Sequence, residues 1–114
     1  MVIQIVRVTV RPGERAAWLE LVRSATAQAR ADEGCESCQA SEDVETPNDF
    51  VIVERWTSME TQYAHFRNPR FGELMGRLGD VLASPPDVSI HQVASTQTLD
   101  EALAAAGVGG GGGD

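Results

Sequence analysis

Two segments of the sequence are rich in β-branched residues and carry apolar side chains on both faces of the strands they predict. In residues 2–10, valines line one face while Ile3 and Ile5 lie on the other. In residues 50–57, Phe50, Ile52, Glu54 and Trp56 alternate with Val51, Val53 and Arg55. A sheet covered on one face alternates apolar and polar residues more cleanly. We therefore expect helices on one face and a second subunit on the other.

The segments between these strands predict helices and two further strands. Residues 14–30 carry Trp18, Leu21, Val22, Ala25 and Ala29 at helical spacing, and Gly34 is the expected C-cap. Residues 35–44 predict a weaker strand, and 46–49 a turn into the strand 50–57. Ser58 is the expected N-cap of a helix interrupted at Pro69. A helix over 70–82 is expected to bury Phe71, Leu74, Met75, Leu78 and Leu82, before a strand over 88–94.

This order is that of a βαββαβ, ferredoxin-like α+β domain with an antiparallel sheet and helices on one face. We assign residues 1–95 to that domain. Residues 96–114 are predicted to form a short helix over 99–106, with Thr98 and Glu101 in a capping box, and a flexible glycine-rich tail over 109–113. A chain of 114 residues forms one small core, which association with a second subunit would stabilise.

Charge and hydropathy exclude several classes of partner. Nine Lys and Arg residues against 17 Asp and Glu residues give a net charge of -8, which repels nucleic acid and anionic lipid surfaces. The N-terminus lacks the basic start and long apolar run of a secretory signal. No stretch approaches the roughly 20 apolar residues of a membrane span. We expect a cytoplasmic protein that binds neither nucleic acid nor membranes.

Three groups of short motifs follow the predicted elements in a fixed order. Arg11-Pro12-Gly13 follows the first strand, Asp32-Glu33-Gly34-Cys35 follows the first helix, and Glu54-Arg55-Trp56 precedes His65 and Pro69-Arg70-Phe71. Over about residues 2–94 the sequence resembles the antibiotic biosynthesis monooxygenase family. The resemblance implies a ferredoxin-like chain that pairs into a dimeric α/β barrel, with a cleft between sheet and helices. It also implies a monooxygenase, or a related isomerase, that uses no cofactor or metal and acts on a small aromatic or quinone-like molecule.

The sequence departs from the family pattern at three positions. Glu33 replaces a proline in the turn after the first helix, Ile52 replaces an asparagine, and Gln62 replaces a tyrosine, with Tyr63 displaced by one. These changes keep open a second function, that of a noncatalytic dimer that binds a small ligand or accompanies a stress response. Haem degradation, which occurs in the same superfamily, is disfavoured because the first strand has no asparagine.

The resemblance makes His65 and Trp56 the candidate catalytic residues and Ile52, Glu54, Tyr63 and Phe66 the candidate substrate-binding residues. Trp56 is either a cleft wall with an N–H donor or a packed core side chain. His65 is either a proton acceptor or a partly exposed helix residue. Glu54, on an apolar face, is an ion-pair anchor or a site group, and we favour the ion pair. Tyr63 is expected in the core or at its rim.

The remaining candidates are Cys35, Cys38 and His91. Residues three apart in a regular strand point to opposite faces, so we expect the two thiols to be separated, reduced and without a metal or redox role. His91 is expected to face water or a partner subunit.

Overall fold

The computed structural model describes residues 1–108, and the predicted flexible tail over 109–113 lies outside them. The elements are β1 (Val2–Thr9), α1 (Arg15–Ala31), β2 (Cys35–Glu42), β3 (Asp49–Trp56), α2 (Met59–Arg67), α3 (Pro69–Val81), β4 (Asp87–Gln92) and α4 (Leu99–Ala105). Among the described residues, none of the helices is long and apolar enough to cross a membrane.

The four strands form one antiparallel sheet in the order β2-β3-β1-β4. Along β1, Val2 lies opposite Trp56 and Val8 lies opposite Phe50 on β3. On its other edge, Val2 lies opposite Gln92 of β4. The element order and the sheet confirm the predicted ferredoxin-like α+β fold, with α2 and α3 together in the place of the second helix.

The helices cover one face of the sheet, where two clusters of buried side chains form the core. The larger cluster joins α1 to the middle of the sheet, and Trp18 packs on Phe50 with ring centroids 5.6 Å apart. The smaller one, under the last turns of α1, contains Val2, Ala29, Cys38 and Trp56. One helix prediction was wrong: Met75 of α3 is 40% exposed, because it points away from the sheet.

Within residues 1–108, no helix covers the opposite face of the sheet. Its centre is apolar and only partly buried, and comprises Ile3, Ile5, Val51 and Val53. Arg7 and Arg55 are exposed at its margins, and β2 presents serine and glutamine side chains there. β1 and β3, which carry apolar residues on both faces, are therefore covered by helices on one face only. The apolar centre of the other face is uncovered.

Two local features fix how α2 and α3 leave the sheet. Ser58 caps α2, and its hydroxyl accepts from the Thr61 N–H while the Thr61 hydroxyl accepts from the Ser58 N–H. Asn68 caps α3, since its Oδ1 accepts from the Arg70 N–H, and Pro69 begins the new helix at a position where its missing N–H costs nothing.

Candidate functional site

The end of β3 carries two of the predicted site residues on the helix-covered face. Side chains two positions apart in a strand point the same way, so Glu54 and Trp56 both point toward α2. Trp56 is fully buried, and its indole Nε1 donates to Oε1 of Glu54 at 3.0 Å. The carboxylate and the indole therefore form one hydrogen-bonded unit inside the molecule.

α2 brings His65 onto the indole. A two-residue turn separates β3 from α2, and the imidazole and indole centroids are 4.7 Å apart with their planes inclined by 36°. His65 is only 6% exposed. Phe71 of α3 meets the imidazole edge-on with ring centroids 5.3 Å apart, and the Phe66 centroid lies at 5.8 Å. The structure thus brings the two candidate catalytic residues into contact.

The sequence analysis missed the residue that holds His65 in place. Asp32, the C-cap of α1, has its Oδ2 atom 2.6 Å from Nδ1 of His65, and Asn68 donates to its other oxygen at 3.4 Å. A proton on Nδ1 satisfies this bond and leaves Nε2 as the acceptor nitrogen. Because 33 residues separate Asp32 from His65, no local pattern in the sequence connects them.

Glu54 does not have the cationic partner that we expected. Among residues 1–108, no arginine forms an ion pair with it, because Arg7 of β1 and Arg55 of β3 lie on the opposite face of the sheet. Burial raises the pKa of the Glu54 carboxyl, while the hydrogen bond from Trp56 and the proximity of His65 act in the opposite direction. The favoured ion-pair prediction was therefore wrong.

A pair of glutamines completes the buried polar cluster. Gln4 of β1 lies opposite Glu54 in the sheet, and its Oε1 accepts from Nε2 of Gln62 at 2.9 Å. Gln62 is fully buried, and its own Oε1 has no hydrogen-bond partner among the described residues. We call Gln4, Glu54, Trp56, Gln62 and His65 the polar cluster.

The other candidate substrate-binding residues surround this cluster unequally. Ile52 is partly buried on the same face of β3 and packs against both core clusters. Phe66 is partly buried beside His65. Tyr63 is 46% exposed on the outer side of α2, so it lies at the rim and not in the cluster.

An open groove of about 540 Å³ lies on that outer side of α2. It is lined by Asp32, Glu33, Glu60, Thr61, Tyr63, Ala64, His65 and Arg67. His65 is the residue that the groove and the polar cluster share. The imidazole therefore lies between the buried cluster and the groove.

Both cysteines lie on the helix-covered face, which corrects the expectation of opposite faces. Cys35 lies opposite Trp56 and Cys38 opposite Glu54, and the register shifts between Cys35 and Ser37. This β-bulge adds one residue and reverses the alternation. Burial raises the pKa of the Cys38 thiol to about 12, and also raises that of Cys35. Such thiols are weak nucleophiles at neutral pH.

His91 points away from the helices on the uncovered face, where its Nε2 lies 2.9 Å from the Ser89 hydroxyl. It takes no part in the polar cluster. Within residues 1–108, no three His, Cys, Asp or Glu side chains are arranged to hold a metal ion.

The family model for antibiotic biosynthesis monooxygenases matches residues 1–77 of the chain. The chain belongs to this family. The antibiotic biosynthesis monooxygenase fold recurs in the structure of Rv0793 from Mycobacterium tuberculosis, which is 25% identical and has a TM-score of 0.78 over 85% of this chain and 98% of that one. A Deinococcus radiodurans protein that bears the same family name shares the fold at 20% identity, with a TM-score of 0.81 over 87% and 98% of the two chains.

A curated relative from Synechocystis, an uncharacterised protein, is 30% identical over 92 residues. The aligned region covers 81% of this chain but only 63% of the relative, so the chain spans less than two thirds of that protein's length.

Proposed function

We propose that this antibiotic biosynthesis monooxygenase family member is a cytoplasmic homodimer that oxygenates a small phenol or quinol without a cofactor. The observation that carries the proposal is the contact of Asp32, His65 and Trp56. A carboxylate orients a nearly buried imidazole, and that imidazole lies on an indole. These three groups supply an oriented proton acceptor and an aromatic surface in a water-poor site.

In the proposed reaction, Nε2 of His65 takes the proton of a phenolic hydroxyl, and Asp32 stabilises the imidazolium that forms. The electron-rich phenolate then reduces dioxygen itself. A ring carbon bonds to one oxygen atom, and the resulting peroxide takes the proton from His65. The C–H bond at that carbon and the O–O bond then break, so that the carbon becomes a quinone carbonyl and the second oxygen atom leaves as water. The protein contributes the proton acceptor, the aromatic wall and the exclusion of water, while the electrons come from the substrate.

Access to Trp56 requires a movement, since side chains fill the space between the sheet and α2. Phe71 of α3 covers the imidazole at 5.3 Å. Gly72, Gly76 and Gly79 lower the helix propensity of α3, although a Cβ at any of them would meet nothing within 4 Å. Packing therefore does not require these glycines, and we propose that α3 shifts to admit the ligand.

The uncovered face of the sheet supports the homodimer. Its apolar centre, with arginine and polar side chains around it, has the composition of an interface with an apolar core and a polar rim. Two copies of the chain that pack these faces together would bury the apolar centre.

The test is oxygen consumption by the purified protein with phenol and quinol substrates under air. We expect His65→Ala to lower turnover by roughly a hundredfold while the far-UV spectrum is unchanged, because a general base contributes about that much. His91→Ala is the matched control, since it removes the other histidine, which lies on the opposite face. Full oxygen consumption by His65→Ala would rule out the proposed role of this imidazole.

A noncatalytic ligand-binding protein is the second candidate. The observation that favours it is the apolar Ile52 at a position where the family resemblance implies an asparagine. Under this alternative, the wild type binds phenols with the same affinity in air and under nitrogen and consumes no oxygen.

A further inference from the structure

The polar cluster contains a group that the proposed proton transfer does not use. Gln62 is 0% exposed, and its Oε1 is one of two buried side-chain polar atoms without a hydrogen-bond partner in residues 1–108. Its Nε2 is already engaged with Gln4. The oxygen is therefore a free acceptor inside the molecule.

A buried acceptor without a donor destabilises the fold. A buried polar group that lowers the stability of the fold is typical of a residue that binds a ligand. Gln62 and His65 are three positions apart, so their side chains leave α2 on one face with Cβ atoms about 5–6 Å apart. One small aromatic ligand with two hydroxyls can therefore contact both side chains.

We propose that Oε1 of Gln62 accepts a hydrogen bond from the second hydroxyl of a hydroquinone-type ligand whose first hydroxyl faces His65. Gln62 is then the specificity residue of the site. It favours a hydroquinone over the corresponding monoether, which retains the hydroxyl for His65 but has no donor for Gln62. This inference rests on the proposed function, since it places the ligand against Trp56 and His65.

The experiment compares 1,4-naphthalenediol with 4-methoxy-1-naphthol, by calorimetry under nitrogen. We expect the wild type to bind the diol at least tenfold more tightly, because the monoether leaves a buried acceptor unpaired. In Gln62→Met the two affinities should agree within about twofold, through loss of affinity for the diol. The melting temperature of this variant should stay close to that of the wild type, because loss of the hydrogen bond to Gln4 offsets removal of the unpaired oxygen.

Trp18→Phe is the matched control, because Trp18 Nε1 is the other unpartnered buried atom and lies in the larger core cluster. It should keep the wild-type preference for the diol. A merely structural Gln62 would change stability without changing the ratio of the two affinities.

Three results would overturn the inference. Equal binding of diol and monoether by the wild type does so while leaving the proposed function intact, and it needs no variant to fold. An undiminished preference for the diol in Gln62→Met does the same. Binding of neither ligand by the wild type would overturn the proposed function together with the inference.

Discussion

Oδ2 of Asp32 lies 2.6 Å from Nδ1 of His65, and this contact ties the end of α1 to the last turn of α2. The His65 and Asp32 side chains are 6% and 21% exposed, so solvent screens their interaction little. The pair orients the ring whose other face lies on Trp56.

We expect Asp32→Asn to lower oxygen consumption by about 10–100-fold, because an amide neither fixes the tautomer nor stabilises the imidazolium. Steady-state kinetics with a quinol measures this. Glu33→Gln is the control, since Glu33 is an exposed carboxylate that lines the same groove. An equal loss in both variants would point to the charge of the groove and not to orientation of His65.

Glu54 gives a prediction about pH. Its pKa is raised in the folded state, so the folded protein holds this proton at a pH where the unfolded chain has lost it. Its contribution to stability is fully present below the ordinary value of 4.5 and is lost as pH rises through the folded pKa. Glu54→Gln, which can still accept from Trp56, should therefore gain stability relative to the wild type as pH rises from 4.5 toward 8. Urea unfolding across that range measures the difference.

Glu42→Gln is the opposite control. The hydrogen bond from the exposed Arg15 lowers the pKa of Glu42 to about 2, so its contribution is present above 4.5 and is lost as pH falls toward 2. This variant should be less stable than the wild type at neutral pH, and the difference in stability should shrink as the pH falls toward 2. A Glu54→Gln difference that does not vary with pH would contradict the buried, proton-holding state of that carboxyl.

The contrast between Glu54 and Asp32 shows how far the sequence could predict the site. Alternation along β3 was enough to place Glu54 and Trp56 on one face, and the short turn to α2 was enough to bring His65 near them. The partner of His65 comes from the far end of α1, so only the packing of α1 against the sheet reveals it. The β-bulge that places Cys35 on the same face as Cys38 could not be predicted from the sequence of β2. It depends on how β2 pairs with β3, and the short polar strand carries no residue pattern that indicates it.

Gly34 is required at the turn between α1 and β2. Its φ is +87°, and a Cβ there would collide with the side chain of Thr61. Its carbonyl also accepts from the Thr57 N–H at 2.8 Å. We expect Gly34→Ala to lower the free energy of unfolding by about 2 kcal/mol or more, from backbone strain and the collision together.

Gly13→Ala separates the two causes. Gly13 has the same φ of +87°, but a Cβ there would meet nothing within 4 Å. Only the backbone strain at positive φ remains, and the free energy of unfolding should fall by about 1 kcal/mol. Denaturant unfolding of both variants measures the difference, and equal losses would show that the approach of Gly34 to Thr61 is unimportant.

The homodimer is tested on the uncovered face of the sheet. Ile5→Asp puts a charge at the apolar centre without touching the helix-covered core, so we expect a folded chain that elutes with the mass of a monomer. Gln39→Asp, at an exposed position on the same face, is the control and should remain a dimer. Light scattering after size exclusion gives the masses. A monomeric wild type at micromolar concentration would remove this part of the proposal.

The last prediction concerns the glycines of α3. Replacing Gly76 and Gly79 by alanine should stabilise the protein by about 1 kcal/mol for each, because alanine favours the helix and both positions have room for a Cβ. If α3 must shift before a ligand reaches His65, the double variant should also bind a quinol more slowly. Hydrogen exchange along α3 should slow in parallel, since Phe71 would cover the imidazole for more of the time. Stopped-flow binding measures the rate, and a more stable variant with an unchanged association rate would show that entry does not pass under α3.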